Sequence, residues 1–155
     1  ESFIRGTLHR NFMGYTASKT QLMIGLGISA ISDSWYGFAQ NVKTIKEYEE
    51  VLSQDRIPVY RGHILSEEDL ILRRHILNLM CQFHTSWEAP QLQFAEAEEV
   101  KMRLSEMEKD GLIHILPQGI EVTDVGKPFV RNICMAFDLR LQRNVPTTRI
   151  FSMTI

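Results

Sequence analysis

Thiols and imidazoles are the side chains here best suited to chemistry, and their spacing decides what they can do. The chain carries two cysteines, Cys81 and Cys134, and five histidines, His9, His63, His75, His84 and His114. An iron–sulfur cluster needs three or four thiolates gathered in one place, usually by a short cysteine-rich loop. Two cysteines widely separated in sequence cannot supply one. Cys81 and His84 stand three apart, on one face if that stretch is helical, but zinc needs two further ligands and no second Cys/His pair exists. The other histidines are scattered. There is no nucleophile elbow, phosphate-binding Walker loop or His-Glu-x-x-His pair. No metal ligand and no catalytic residue is therefore expected among these residues. Both cysteines sit in apolar helical patterns and read as core side chains, a usage suited to a reducing compartment.

The second feature with chemical potential is Gly25-Leu26-Gly27, followed by Ile28-Ser29-Ala30-Ile31-Ser32. The third glycine of the dinucleotide fingerprint is missing. By pattern alone the run from Leu22 to Ser32 is a buried strand, in which glycine marks a bulge or a close approach of backbone or ligand.

The elements that must position these residues follow from periodicity and capping. Residues 1–20 read as a short helical end and a loop. Residues 44–54 read as a helix with Thr44 as N-cap and Glu47 three residues on. Residues 57–64 suit a strand that Pro58 confines to an edge or a strand start. Ser66-Glu67-Glu68-Asp69 resembles a capping box opening a helix that runs to about Thr85, with Leu70, Ile76, Leu77, Met80 and Phe83 on its apolar face. A second helix spans about 93–109, and Gly111 is placed to cap it. Residues 112–122 form a hairpin about Pro117-Gln118-Gly119. Thr123 can cap a third helix over about 124–142, and the last dozen residues, with Pro146, read as an extended tail.

Composition sets the limits. The 155 residues are 44% hydrophobic and 23% charged, with a formal net charge of −2. That balance suits a folded globular chain and argues against binding nucleic acid by bulk electrostatics. The longest apolar run is too short to span a membrane, and no secretory leader is visible, so the expected location is the cytoplasm. The chain opens on Glu1 within sequence that looks structured, and reads as a piece of a longer protein.

Helix, helix, hairpin, helix is a winged-helix order, and such domains read DNA with cations on the second helix and wing. Here the second helix carries Glu96, Glu98, Glu99, Glu106 and Glu108 against Lys101, Arg103 and Lys109, and the hairpin tip has no cation. Phosphate would be repelled, so no nucleic-acid partner is expected. Packing or a lid is the better use of such a module.

From His9 onward the sequence becomes specific. Arg10-Asn11-Phe12-Met13-Gly14-Tyr15-Thr16 resembles the Arg-Asn-Phe-Gln-Gly-Tyr-Thr stretch of the oxygen-independent coproporphyrinogen III oxidases, and Gly25-Leu26-Gly27-Ile28-Ser29-Ala30-Ile31-Ser32 is similar to a second stretch of that family at the same spacing. The resemblance continues through Tyr36, Ala39-Gln40-Asn41, Arg61-Gly62, Arg73-Arg74, Lys109-Asp110-Gly111-Leu112, Gly119-Ile120, Val122-Thr123 and Arg131-Asn132-Ile133-Cys134-Met135, and closes on Phe151-Ser152. It covers essentially the whole chain.

That resemblance implies the C-terminal part of a radical S-adenosylmethionine (SAM) enzyme of haem synthesis. An upstream (β/α) barrel of the same polypeptide would hold a [4Fe–4S] cluster and SAM, and coproporphyrinogen III would be decarboxylated to protoporphyrinogen IX. The isolated chain, without cluster cysteines, would be inactive and bind no cofactor. The resemblance assigns Phe12 to a second SAM molecule and Ile31 to the SAM site, with Gly25 and Gly27 letting backbone approach the nucleoside. Met13 departs from the family's glutamine, and a thioether offers no hydrogen-bond donor. The expected fold is α+β and mainly helical. Residues 1–65 would be the tail of the barrel domain and its connection, and residues 66–155 a winged-helix-like domain. Two other functions stay open: a related radical SAM protein that handles haem, which the departure at Met13 keeps open, and a non-catalytic winged-helix binding module.

Overall fold

The structure, a computed structural model, describes residues 1–143. The expected tail and the Phe151-Ser152 match lie outside the described residues. The chain divides into two compact units, Glu1–Leu77 and the part from Asn78 onward. Helix and sheet are mixed.

The first unit is built on sheet. Strands β1 (His9–Asn11) and β2 (Gly14–Thr16) form a hairpin with Arg10 opposite Tyr15. The helical end expected over residues 1–20 is thus replaced by turns and this hairpin. Its loop is Phe12-Met13, and the Asn11 side-chain oxygen accepts the Met13 N–H at 2.9 Å. Such local side-chain bonding favours turns over helix. A four-stranded antiparallel sheet follows in the order β3 (Leu22–Met23), β4 (Ile31–Ser34), β5 (Gly37–Asn41), β6 (Val59–Ile64). Strand β6 lies at the edge and begins just after Pro58, as the missing N–H of proline requires. Helix α1 (Ile45–Leu52) is capped by Thr44, whose hydroxyl accepts the Glu47 N–H at 3.3 Å. Thr44→Ala is expected to cost about 1 kcal/mol, measurable as a lower urea midpoint with unchanged m-value.

The continuous buried strand expected over Leu22–Ser32 is not formed. Only Leu22–Met23 pairs before β4 begins at Ile31, and Leu22, Ile24, Leu26 and Ile28 are exposed. Residues 24–30 are a loop, and its fastening is described below.

Helix α2 (Glu67–Gln82) starts at a reciprocal cap. Asp69 Oδ2 accepts the Ser66 N–H at 2.9 Å, while Ser66 Oγ accepts the Asp69 N–H at 3.2 Å. The helix passes from the first unit into the second and stops at Phe83, which adopts φ +63°. It therefore ends short of Thr85, and residues 84–86 form a strand, β7 (His84–Ser86), that periodicity did not signal.

In the second unit β7 completes a three-stranded sheet, order β7-β9-β8, with the expected hairpin β8 (Ile113–Leu116) and β9 (Gly119–Val122). Helix α3 (Ala97–Lys109) is shorter at its start than the pattern suggested. Gly111 caps its end in the left-handed conformation, φ +71°, with its N–H on Glu108 O. The expected third helix is broken. Thr123 accepts the Gly126 N–H in a turn, a 3-10 turn spans Lys127–Phe129, and helices α4 (Val130–Met135) and α5 (Leu139–Arg143) follow. Pro128 supplies no backbone donor, and Asp138 Oδ1 takes the Leu141 N–H at 2.9 Å, starting a new helix. The core holds Leu79, Val100, Leu104, Ile113, Ile133 and Phe137, all essentially inaccessible. Burying such a side chain is worth about 1.5–3 kcal/mol. Cys81 and Cys134 are buried and are not joined in a disulfide.

Candidate functional site

The register of the four-stranded sheet shows which side chains share a face. Ile31 stands opposite Gln40 and Asp33 opposite Phe38; across the next pairing Phe38 meets His63 and Gln40 meets Arg61. Since side chains alternate along a strand, these six residues lie on one face. Three contacts agree with that. Arg61 Nε donates to Gln40 Oε1 at 3.0 Å, His63 Nε2 lies 3.6 Å from Asp69 Oδ2, and the ring of Phe12 meets Phe38 edge-on with centroids 5.2 Å apart. The hairpin carrying Phe12 thus touches the face that carries Ile31. Two of the expected site residues, distant in sequence, belong to one surface.

Arg73 of α2 organises the middle of that face. Its Nη2 meets Asp33 Oδ1 at 2.8 Å, and its Nη1 donates to the carbonyls of Ser34 and Trp35 at 2.9 and 3.2 Å. The guanidinium also lies over the rings of Trp35 and Phe38, 5.0 and 4.9 Å from their centroids. Asp33 is only 7% exposed, so the pair is a buried one. The pair ties helix α2 to the sheet and serves structure.

His9 feels this charge. Burial lowers its pKa from the ordinary 6.5, Arg73 and Lys19 lower it further, and Asp33 opposes them. With a folded pKa below the unfolded one, the unfolded chain binds more protons between the two values. The His9 contribution to stability is complete above pH 6.5 and is lost as pH falls through the folded pKa. An NMR titration is expected to place its midpoint below 6.5; a midpoint at or above that value refutes the assignment.

The loop before Ile31 is fastened by side chains. The Asn41 amide, 5% exposed, donates to Gly25 O at 3.0 Å and to Gly27 O at 2.9 Å. Ser32 Oγ accepts the Gly25 N–H at 3.1 Å, and the Tyr48 hydroxyl accepts the Gly27 N–H at 3.1 Å. The two glycines differ in kind. A Cβ on Gly25 would lie 2.7 Å from Ile31 O and 2.8 Å from Ile31 C, so the chain itself fills the space that glycine leaves. Gly27 has φ +97° and open space where its Cβ would stand. Met13 is 84% exposed at the hairpin tip.

This arrangement offers an aromatic ring and an aliphatic side chain on one sheet face. Apart from Ile31 and Phe38, with Phe12 against it, the strand residues of that face are polar: Asp33, Gln40, Arg61 and His63. Among the described residues no three His, Cys, Asp or Glu side chains gather as metal ligands. The thiols present, two buried in the second unit, do not fit an iron–sulfur cluster. Among the described residues no helix is long and apolar enough to cross a membrane. Sequence reasoning missed Arg73, Asp33 and Asn41. Arg73 and Asn41 were signalled only by membership in short stretches of resemblance and Asp33 not at all, because a buried ion pair and a side chain bonded to distant carbonyls have no periodicity.

Comparison with solved structures defines the class. The chain superimposes with a TM-score of 0.82, at 36% identity over 90% of its length and 33% of the other chain, on the coproporphyrinogen III oxidase (HemN) of Escherichia coli, described as a radical SAM enzyme. Among curated proteins it is 40% identical to the oxygen-independent coproporphyrinogen III oxidase of Salmonella typhimurium, over 89% of this chain and 31% of that protein, and 38% identical to the one from Synechocystis, over 97% and 34%. The chain is thus homologous to a portion of the oxygen-independent coproporphyrinogen III oxidases, and spans about a third of the length of these relatives. No protein-family model matches it.

Proposed function

We propose that this chain is the C-terminal part of an oxygen-independent coproporphyrinogen III oxidase, a cytoplasmic enzyme that converts coproporphyrinogen III to protoporphyrinogen IX by oxidative decarboxylation. The observation that carries this reading is likeness in sequence and in fold over nine-tenths of the chain to an enzyme of that name. The rest of the parent, an upstream (β/α) barrel, would hold the [4Fe–4S] cluster, whose reduction of SAM supplies the radical chemistry. Residues 1–65 would end and connect that barrel domain. Residues 66–155 would form a winged-helix-like domain covering the porphyrinogen.

Within this chain Phe12 and Ile31 would flank the adenosyl group of SAM, and the open backbone at Gly27 would let the nucleoside approach. Gly25 would act indirectly, by allowing Ile31 its place. Met13 would meet the ligand only by thioether packing, in place of an amide. The chain's own task is to bind, orient and exclude water.

The test uses the full-length parent, reconstituted with iron and sulfide without oxygen and supplied with SAM, reductant and coproporphyrinogen III. Both 5′-deoxyadenosine and protoporphyrinogen IX are expected. SAM cleavage without protoporphyrinogen would move the protein to another substrate or to haem handling. Ile31→Asp in the same enzyme is expected to weaken SAM binding about tenfold or more, since it puts a charge on an apolar contact; unchanged affinity would remove Ile31 from the site.

A further inference from the structure

The sheet face that carries Ile31 holds two cross-strand rows. One is Asp33, Phe38 and His63; the other is Ile31, Gln40 and Arg61. The chain itself occupies the first row. Arg73 holds Asp33 and lies over Phe38, Phe12 sets its ring against Phe38, and His63 lies 3.6 Å from Asp69. Among the described residues no ion pair or ring contact involves the second row. Ile31 and Gln40 are half-buried there, and Arg61 is exposed on the edge strand β6.

The second row is nonetheless ordered. Arg61 Nε donates to Gln40 Oε1 at 3.0 Å, and Gln40 Nε2 donates to Ser29 O at 3.2 Å. The Gln40 amide is thus held at both its oxygen and its nitrogen, and it orients the guanidinium by one bond. Among the described residues Arg61 Nη1 and Nη2 meet no acceptor. Asp33, the carboxylate of the same face, is taken by Arg73. A guanidinium is a planar fork whose terminal nitrogens match a carboxylate, and here they are accessible. Neighbouring strands lie about 4.8 Å apart, so the backbones at Ile31 and Arg61, two strands apart, are separated by roughly 10 Å. A ligand that sets an apolar part on Ile31 and carries a carboxylate at that distance meets the whole row.

We propose that Arg61, held by Gln40, binds a carboxylate of the ligand that lies on Ile31 or beside it. The inference rests on the radical SAM reading, under which two ligands share this chemistry: the methionyl carboxylate of SAM and the propionates of coproporphyrinogen III. Arg61 orients its ligand by charge and fork geometry and takes no part in bond breaking.

The experiment uses the full-length reconstituted enzyme with Arg61→Gln and Arg61→Lys. Arg61 is exposed at a sheet edge, so both variants leave the core intact. The probes are SAM, decarboxylated SAM, coproporphyrinogen III and its tetramethyl ester. Loss of a charge-assisted pair weakens binding about 10- to 100-fold in Arg61→Gln, with a smaller loss in Arg61→Lys, which keeps the charge but not the fork. If the affinity for SAM falls while that for decarboxylated SAM is unchanged, the carboxylate is that of SAM. If KM for coproporphyrinogen III rises with SAM affinity intact, and binding of the ester is unaffected by the substitution, the carboxylate is a propionate. Variants that bind all four probes as the wild type does overturn the proposal. So does a loss of equal size for each compound and its carboxylate-free counterpart. Wild-type enzyme that neither binds SAM nor consumes coproporphyrinogen III defeats the functional reading itself, and removes both candidate carboxylates with it.

Discussion

Replacing Arg73 with alanine is expected to destabilise the first unit by on the order of 3–5 kcal/mol, the cost of removing one partner from a buried ion pair. The magnitude follows from what remains. Asp33 keeps a carboxylate that is almost inaccessible to water, and the carbonyls of Ser34 and Trp35 lose their donor. The Arg73 side chain is itself only 16% exposed, so solvent screens the pair little. Trp35 lies under the guanidinium and is a natural probe. In a Trp87→Phe background its fluorescence should report unfolding at a markedly lower urea concentration. Arg73→Lys should fall between, because it keeps the charge and loses the fork. Arg73→Met with Asp33→Asn should recover much of the loss, since the penalty lies in the orphaned charge. A cost below about 1 kcal/mol, the range of surface pairs, would show that water reaches Asp33.

Asn41→Asp is the second large effect. It exchanges a donor for an acceptor at a site where two carbonyl oxygens, Gly25 O and Gly27 O, converge on one amide nitrogen. Both lose their hydrogen bond, at about 1–3 kcal/mol each for a buried group, and the introduced oxygen repels them. The carboxyl does most harm when ionised, so the loss should deepen as pH rises from about 3 to 7. Thermal unfolding across that range, with Asn41→Ala beside it, separates the two contributions. Asn41→Ala should show the lost bonds without the added pH dependence. Identical pH profiles for the two variants would exclude repulsion as a cause.

The sequence made some of this legible and hid the rest for definite reasons. Helix α1, the start of α2 and the end of α3 were readable because Thr44, Ser66 and Gly111 act on their immediate neighbours. The hairpin β8–β9 was readable from its short apolar runs about a turn. The single helix expected after Thr123 failed where Pro128 and Asp138 interrupt an apolar pattern that still looked continuous. The strand expected over Leu22–Ser32 failed because alternation of glycine and aliphatic residues fits a loop as well as a strand. Bonds from Ser32 and from the more distant Asn41 and Tyr48 decide between them. Of the site, the stretches holding Phe12 and Ile31 were recognisable by resemblance. Their meeting on one sheet face was not, since it depends on the β4–β5 register and the contact of Phe12 with Phe38.

The fastening of the glycine loop also orders events in time. The groups that hold Gly27 are Asn41 and Tyr48, 14 and 21 residues further along the chain. Closing such spans costs entropy before any bond repays it. Residues 24–30 leave the ribosome ahead of both partners and remain unshaped until β5 and α1 have formed. Ile24, Leu26 and Ile28 are exposed in the folded chain as well, so the delay concerns the shape of the loop and not the burial of its side chains. The loop is early in the gene and late in the fold.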